Sequence, residues 1–219
     1  MTPLDSPSPP PPPWAVAGLA ALAAADPDLA RIEPAAGPLP WRARGPGFPG
    51  LLRAICGQMI SNQAAAAIWG RLRVLPGALE PAGLLALSDE ALRGAGLSRP
   101  KVAHVRALAA ACAEGRLDFA AIAAMEDEAA VAALAAVKGL GRWTAEVHLL
   151  FGLQRPDVFP AGDLAIAAGA AHLKGLPARP DPEALRALAE PWRPWRSLAA
   201  RLLWHHWRFV TGRPAGEAP

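Results

Sequence analysis

The stretch Val137-Lys138-Gly139-Leu140-Gly141-Arg142-Trp143-Thr144-Ala145 lies between two segments that read as helices. Two glycines two positions apart allow a tight turn with backbone amides facing outward, and a helix begins directly after them. Outward amides plus a helix N-terminus make an anion site that can hold a DNA phosphate without reading bases. Val137 and Leu140 are placed to pin the turn between its helices. Taken alone, the string is also an ordinary helix–Gly–helix turn, so its neighbours have to decide between the two.

Those neighbours are helical. Alanine dominates most segments, and alanine loses no side-chain entropy in a helix. No segment alternates apolar and polar residues long enough to make a strand, so the class is all-α. Glu126, Asp127 and Glu128 open the helix that enters the turn, where they complement its positive dipole end, and Val131 and Leu134 continue its buried face. Ser98-Arg99-Pro100 starts a longer helix with Val102, Val105, Ala109 and Cys112 on one face. Ser88-Asp89-Glu90 caps a short one, and residues 51–73 are helical with a break and a new cap at Ser61 and Asn62. A first helix over 14–25 stops at Asp26-Pro27, a proline-rich connection follows over 34–49, and a last helix over 195–210 buries Leu198, Leu202 and Trp207. Pro9 to Pro13 in succession predict an extended, disordered tail over 1–13. The folded domain is expected over 14–213, with the hairpin at about 134–152 and a short tail over 214–219.

A hydrophobic content of 53% argues against disorder, and the formal charge of +3 is weakly basic. Most of that charge is arginine, whose planar fork suits phosphate; lysine occurs only as Lys101, Lys138 and Lys174. Two cysteines, Cys56 and Cys112, cannot build a four-cysteine zinc or iron–sulfur site. The apolar run over 14–25 lacks a preceding Lys or Arg, which excludes a signal peptide, and no run reaches the length of a membrane span. A soluble cytoplasmic protein with no cofactor and no catalytic metal is expected. His205 and His206 diverge by about 100° on a helix and make a poor metal pair.

Four further blocks frame the hairpin in order: Gly57-Gln58-Met59-Ile60-Ser61 followed by Ile68-Trp69-Gly70-Arg71-Leu72, then Gly96-Leu97-Ser98 with Lys101, then Phe159-Pro160-Ala161-Gly162-Asp163-Leu164-Ala165-Ile166, and last Trp192-Arg193-Pro194-Trp195-Arg196-Ser197. With the hairpin they resemble the helix-hairpin-helix base-excision glycosylases, specifically the 3-methyladenine DNA glycosylase II branch. The resemblance implies two helical lobes around a cleft. It also implies a monomer that binds damaged double-stranded DNA and excises alkylated purines, leaving an abasic site.

The resemblance carries over to particular residues. The family's chemistry-bearing aspartate begins a helix about twenty residues beyond the hairpin, and Asp163 holds that position. An aspartate at a helix start is ordinarily an N-cap, and one side chain can serve both roles. Departure of a base leaves an oxocarbenium-like sugar, which a fixed carboxylate stabilises while it orients or deprotonates the attacking water. The resemblance makes Gln58 and Met59 the wedge that fills the gap left by a flipped base. It makes Trp143 and Trp195 the aromatic substrate pocket, where a cationic purine gains over a ring face. Gly139, Gly141, Arg142 and Thr144 would hold DNA phosphate, and a structural monovalent ion on hairpin carbonyls is allowed.

Trp14, Trp41 and Trp204 read as packing, and Arg193, Arg196 and Arg201 as either phosphate contacts or a solvated face. Bifunctional relatives carry a lysine nucleophile at the position of Trp143, which implies that this chain does not cut the strand. Two alternatives stay open: a glycosylase of the same superfamily for uracil, mismatched or oxidised bases, and a binding module with no chemistry.

Overall fold

The computed structural model describes residues 10–212, and among them every regular element is helical. Most of the expected N-terminal tail, at 1–9, and the expected C-terminal tail lie outside the described residues. The chain divides into two compact units: one joins the segment up to Ala43 with the segment from Gln154 onward, and the other is Arg44–Leu153.

The first unit begins with α1 (Pro13–Ala25), which has proline at its start, where a missing N–H costs no helix bond. Asp26 ends α1 and caps α2 (Pro27–Ala30) by accepting from the Asp28 amide at 3.0 Å. A short helix α3 (Ile32–Ala36) then occupies the start of what the sequence suggests is an irregular proline connection. Pro34 is tolerated there because it sits in the first turn, whose amides have no intrahelical acceptor.

The second unit runs through α4 (Phe48–Gly57), α5 (Asn62–Leu72), α6 (Pro81–Ala86), α7 (Asp89–Gly94), α8 (Arg99–Ala113), α9 (Phe119–Ala124), α10 (Asp127–Ala135) and α11 (Arg142–Phe151). Serine caps set three of these starts: Ser61, Ser88 and Ser98 accept from the amides of Ala64, Ala91 and Lys101 at 3.3, 3.2 and 3.4 Å. Leu51, Leu52, Ile55, Val105, Leu108, Leu134 and Leu149 are fully buried and form the core of the unit. On α8 Val102, Val105 and Ala109 are buried as expected; Leu108 and Ala111 join them inside, and Cys112 is only half-buried.

The chain then returns to the first unit with α12 (Leu164–Lys174), α13 (Pro182–Ala189), a 3-10 turn at Glu190–Trp192, and α14 (Arg196–Val210). Leu198 and Leu202 are buried on α14 as expected, whereas Trp207 is half-buried and His206 takes the inner position. The stripe through residues 199, 203 and 206 faces inward, which leaves Trp207 at its edge. Helices α12 and α14 cross closely at Gly169, where a Cβ would lie 2.7 Å from the Leu203 carbonyl oxygen.

The far end of α12 is fixed by charge. Lys174 Nζ donates to Asp26 Oδ1 and Oδ2 at 2.6 and 2.7 Å and to Asp28 Oδ2 at 2.9 Å, while Trp192 Nε1 donates to Asp26 Oδ2 at 2.8 Å. Burial pushes the Asp26 carboxyl up, but the bonds from Lys174, Trp192 and the Asp28 amide outweigh it and hold Asp26 below the ordinary carboxylate range. Among the described residues no helix is long and apolar enough to cross a membrane.

Candidate active site and nucleic-acid interface

The hairpin between α10 and α11 belongs to the second unit. Gly139 has φ +93°, and a Cβ there would lie 2.3 Å from Cγ of His104, whose ring on α8 lies directly beneath the turn. Gly141 differs, because its φ is −80° and nothing lies within 4 Å of where its Cβ would be. The turn therefore needs the first glycine for its conformation, and the second leaves bare backbone open at the start of α11. No side chain caps that helix, and its positive dipole end is the kind of position that favours an anion. Val137 and Leu140 are buried and pin the turn as expected.

The two polar side chains assigned to phosphate are turned to protein partners instead. Arg142 donates to Glu146 Oε1 at 2.8 Å and to Glu128 Oε1 at 2.6 Å. Thr144 is buried, and its Oγ1 lies 3.3 Å from the donating Gln58 Nε2. What this turn leaves open at the start of α11 is its backbone. Of the hairpin carbonyls, that of Val137 accepts from Leu140 N at 3.0 Å and that of Gly139 from Gln58 Nε2 at 3.0 Å.

The loop between α4 and α5 carries the two residues assigned to the wedge, and they behave differently. Met59 is fully exposed and holds φ +58°, a left-handed conformation that costs a non-glycine residue about 1 kcal/mol. Gln58 is half-buried and its amide is spent on the hairpin, so Met59 is the most exposed side chain of this loop, with Ile60 exposed to a lesser degree beside it. Just before the loop, Lys101 Nζ donates to the Cys56 carbonyl at 2.7 Å and secures the end of α4. Burial pushes the Cys56 thiol up to about 12, so it is an inert core group. Trp143 is half-buried on the first turn of α11.

Asp163 belongs to the first unit and is buried at the head of α12. Its Oδ1 accepts from the amides of Ala165 and Ile166 at 2.8 and 2.9 Å, the N-cap role its position suggests. A third donor comes from Trp204 Nε1 at 3.1 Å. The sequence suggests only packing for Trp204; it lies on α14, 41 residues along the chain, and no local sequence signal points to the contact. Three donors on one oxygen fix the orientation of the carboxylate.

In the same unit Trp195 lies parallel to Trp14, with centroids 6.0 Å apart and planes 6° from parallel, and Trp14 meets Trp41 edge-on at 5.8 Å. The Arg201 guanidinium sits 4.2 Å over the Trp41 ring and donates to the Arg42 carbonyl at 2.8 Å. Arg196 holds Asp157 through Nε and Nη2 at 2.8 and 3.0 Å, and Arg193 donates to Asp157 and Glu190 at 2.7 and 2.8 Å. All three arginines have partners within the protein; Arg193 still lies on an exposed face, whereas Arg196 and Arg201 are largely buried, which neither sequence expectation describes for them. His205 Nε2 lies 2.9 Å from the Gly37 carbonyl, and His206 Nε2 lies 3.0 Å from His172 Nδ1. Among the described residues no group of three or more His, Cys, Asp or Glu is placed to hold a metal.

Comparison with known proteins agrees with this arrangement. Residues 52–194 match the model of the HhH-GPD superfamily base excision DNA repair protein family. DNA-3-methyladenine glycosylase 1 of Schizosaccharomyces pombe is 32% identical over 158 residues, covering 70% of this chain and 69% of that protein. The crystal structure of a DNA-3-methyladenine glycosidase from Bacillus halodurans superposes with a TM-score of 0.76 at 33% identity, over 85% of this chain and 87% of that one. The S. pombe 3-methyladenine DNA glycosylase in complex with abasic DNA gives 0.78 at 28% identity, over 93% and 100%. With its hairpin, its all-helical fold and a capping aspartate beyond the hairpin, the chain belongs to the HhH-GPD superfamily of base excision DNA repair proteins.

Proposed function

We propose that the chain is a monofunctional DNA glycosylase that flips alkylated purines of the 3-methyladenine type out of duplex DNA and hydrolyses their N-glycosyl bond, leaving an abasic site. The observation that carries this reading is the buried Asp163 carboxylate, held by Ala165 N, Ile166 N and Trp204 Nε1 at the head of α12. The hairpin backbone holds a phosphate, and Met59 fills the space the base leaves. As the base departs with the bonding electrons, positive charge grows on the sugar, and the preorganised carboxylate stabilises it. Water then bonds to the anomeric carbon, and its proton passes to Asp163 and on to solvent. A purine already cationic from alkylation leaves without a second carboxyl group to protonate it. Trp195, which stacks on Trp14, is an aromatic residue we assign to the recognition of such a cation.

The helix after the hairpin, Arg142–Phe151, contains no lysine, which supports hydrolysis without strand cleavage. The relatives named as DNA-3-methyladenine glycosylases support the substrate class. We assign the activity to one domain over residues 14–213, acting as a monomer in the cytoplasm, where the free thiols of Cys56 and Cys112 stay reduced.

Asp163→Asn tests the reading, since the amide keeps an oxygen for the three donors and loses the charge. Base release in a single-turnover assay is expected to fall at least about a hundredfold with binding to abasic duplex retained. Near-normal release would remove Asp163 from the chemistry and leave a DNA-binding module or a different catalytic group.

A further inference from the structure

The α4–α5 loop is short, and two of its features are unfavourable in the free protein. Met59 exposes its whole side chain to water, and its φ of +58° is strained for a residue with a Cβ. A strained, exposed apolar residue keeps one position only if its flanks hold it, because its own side chain has no contact to define it. On the N-terminal side Lys101 Nζ fixes the last turn of α4 through the Cys56 carbonyl at 2.7 Å. On the C-terminal side Ser61 caps α5. Between them Gln58 leaves the helix in an extended conformation and sends its amide across to the hairpin. Its Nε2 donates to the Gly139 carbonyl at 3.0 Å and to Thr144 Oγ1 at 3.3 Å, residues 81 and 86 positions further along the chain.

We propose that Gln58 is a positioning residue that sets the register between Met59 and the phosphate-gripping hairpin, and so directs the methionine to the nucleotide gap. This rests on the reading of Met59 as the wedge. Both acceptors belong to the hairpin: Gly139 is the residue whose left-handed backbone makes the turn, and Thr144 is buried in the first turn of α11. One amide therefore links the residue that enters the stack to the backbone that holds the strand. A duplex gripped at the hairpin meets Met59 at a fixed distance, and the strain at Met59 is sustained by the same link. Glutamate in place of Gln58 could not donate to a carbonyl, and asparagine is one methylene shorter.

Gln58→Leu keeps the bulk and removes both bonds; Met59→Ala removes the wedge and keeps the link. With single-turnover release and fluorescence of a 2-aminopurine beside the lesion, Gln58→Leu is expected to lower both release and unstacking about tenfold, the worth of one to two modest hydrogen bonds. The melting temperature of the free protein is expected to fall only by the few degrees that one to two modest hydrogen bonds are worth, which separates a loss of register from a loss of fold. In a Met59→Ala background Gln58→Leu is expected to have no further effect, because the residue acts through the wedge. Thr144→Val, which removes the longer bond alone, is expected to give the same pattern at smaller size and covers the case of a poorly folding Gln58→Leu.

Additive losses in the double variant would overturn the proposal and make Gln58 an independent DNA contact. A loss in Met59→Ala with none in Gln58→Leu or Thr144→Val would overturn it and leave the wedge standing. No loss in Met59→Ala would overturn both.

Discussion

Asp163 is 7% exposed and receives three donors on one oxygen, whereas Met59 is 101% exposed and holds a backbone conformation that most residues avoid. The helix behind Asp163 is fixed at both ends, by Trp204 at its head and by Asp26 and Asp28 on Lys174 at its tail. The loop behind Met59 depends on Gln58, whose two bonds are partly buried and modest. The contrast fits the tasks proposed for the two residues. A carboxylate that stabilises a developing charge must not reorganise during the reaction, so redundancy suits it. A side chain that enters a base stack must be accessible beforehand, so it bears exposure and strain until DNA relieves them.

The redundancy can be broken most severely from the far end of α12. Lys174→Met leaves Asp26 buried without its cation, and removal of one member of such a pair is expected to lower unfolding free energy by about 3 kcal/mol. Urea unfolding followed by circular dichroism measures it. A loss below about 1 kcal/mol would show that Trp192 and the Asp28 amide suffice to hold Asp26.

Next in size is the acid limb of stability in the unit that carries the hairpin. Burial lowers the pKa of His148 to about 4, with a further push from Arg44, and its Nε2 has no hydrogen-bond partner. The unfolded chain takes up this proton near 6.5 and the folded chain only near 4, so the unfolded state binds more protons between those values. The contribution is complete above pH 6.5 and is lost as pH falls toward 4, to a total of about 3 kcal/mol. His148→Leu is expected to flatten that limb of the pH–stability curve; an unchanged slope would assign the loss elsewhere.

Much of this arrangement is legible in the sequence, for physical reasons that differ by element. Ser61, Ser88, Ser98 and Asp163 announce their helices because capping is local: a short oxygen-bearing side chain bonds an amide two or three residues on. The hairpin is legible because a left-handed position next to a packed ring admits little besides glycine, and Gly139 has both conditions. The partners of the site are not legible in this way. Trp204 reaches Asp163 from 41 residues away, and Gln58 reaches Gly139 from 81, through packing that leaves no periodic trace. The partners of Arg142 are equally hidden, since an arginine beside a glycine turn invites a phosphate role in the sequence while Glu128 and Glu146 engage it in the fold.

The two hairpin glycines separate fold from binding at intermediate size. Gly139→Ala places a Cβ in a left-handed residue against the His104 ring and is expected to cost about 2 kcal/mol of stability. Gly141→Ala meets nothing within 4 Å and is expected to change stability by less than about 0.5 kcal/mol. Its methyl group instead covers the open backbone, so affinity should fall for every duplex alike, whatever the flanking sequence. Melting curves and duplex titrations on both variants check this. Normal binding by Gly141→Ala would move the phosphate site off this turn.

The smallest expected effect is the most pointed, because it concerns strain alone. Glycine adopts φ +58° without the Cβ penalty, so Met59→Gly relieves about 1 kcal/mol in the folded state, part of which the greater freedom of the unfolded glycine cancels. The variant should therefore melt at or slightly above the wild-type temperature although it has lost a large side chain, an outcome possible only where that side chain packs against nothing. Base unstacking, read by 2-aminopurine fluorescence, should fall in Met59→Gly and persist in Met59→Leu, which keeps both the strain and an apolar body of similar volume. Stability and flipping would then move in opposite directions at one residue, as expected where exposure and strain are held in reserve for DNA. A Met59→Gly variant that melts lower would mean that the methionine packs in solution, and one that still unstacks the duplex would place the wedge on another side chain.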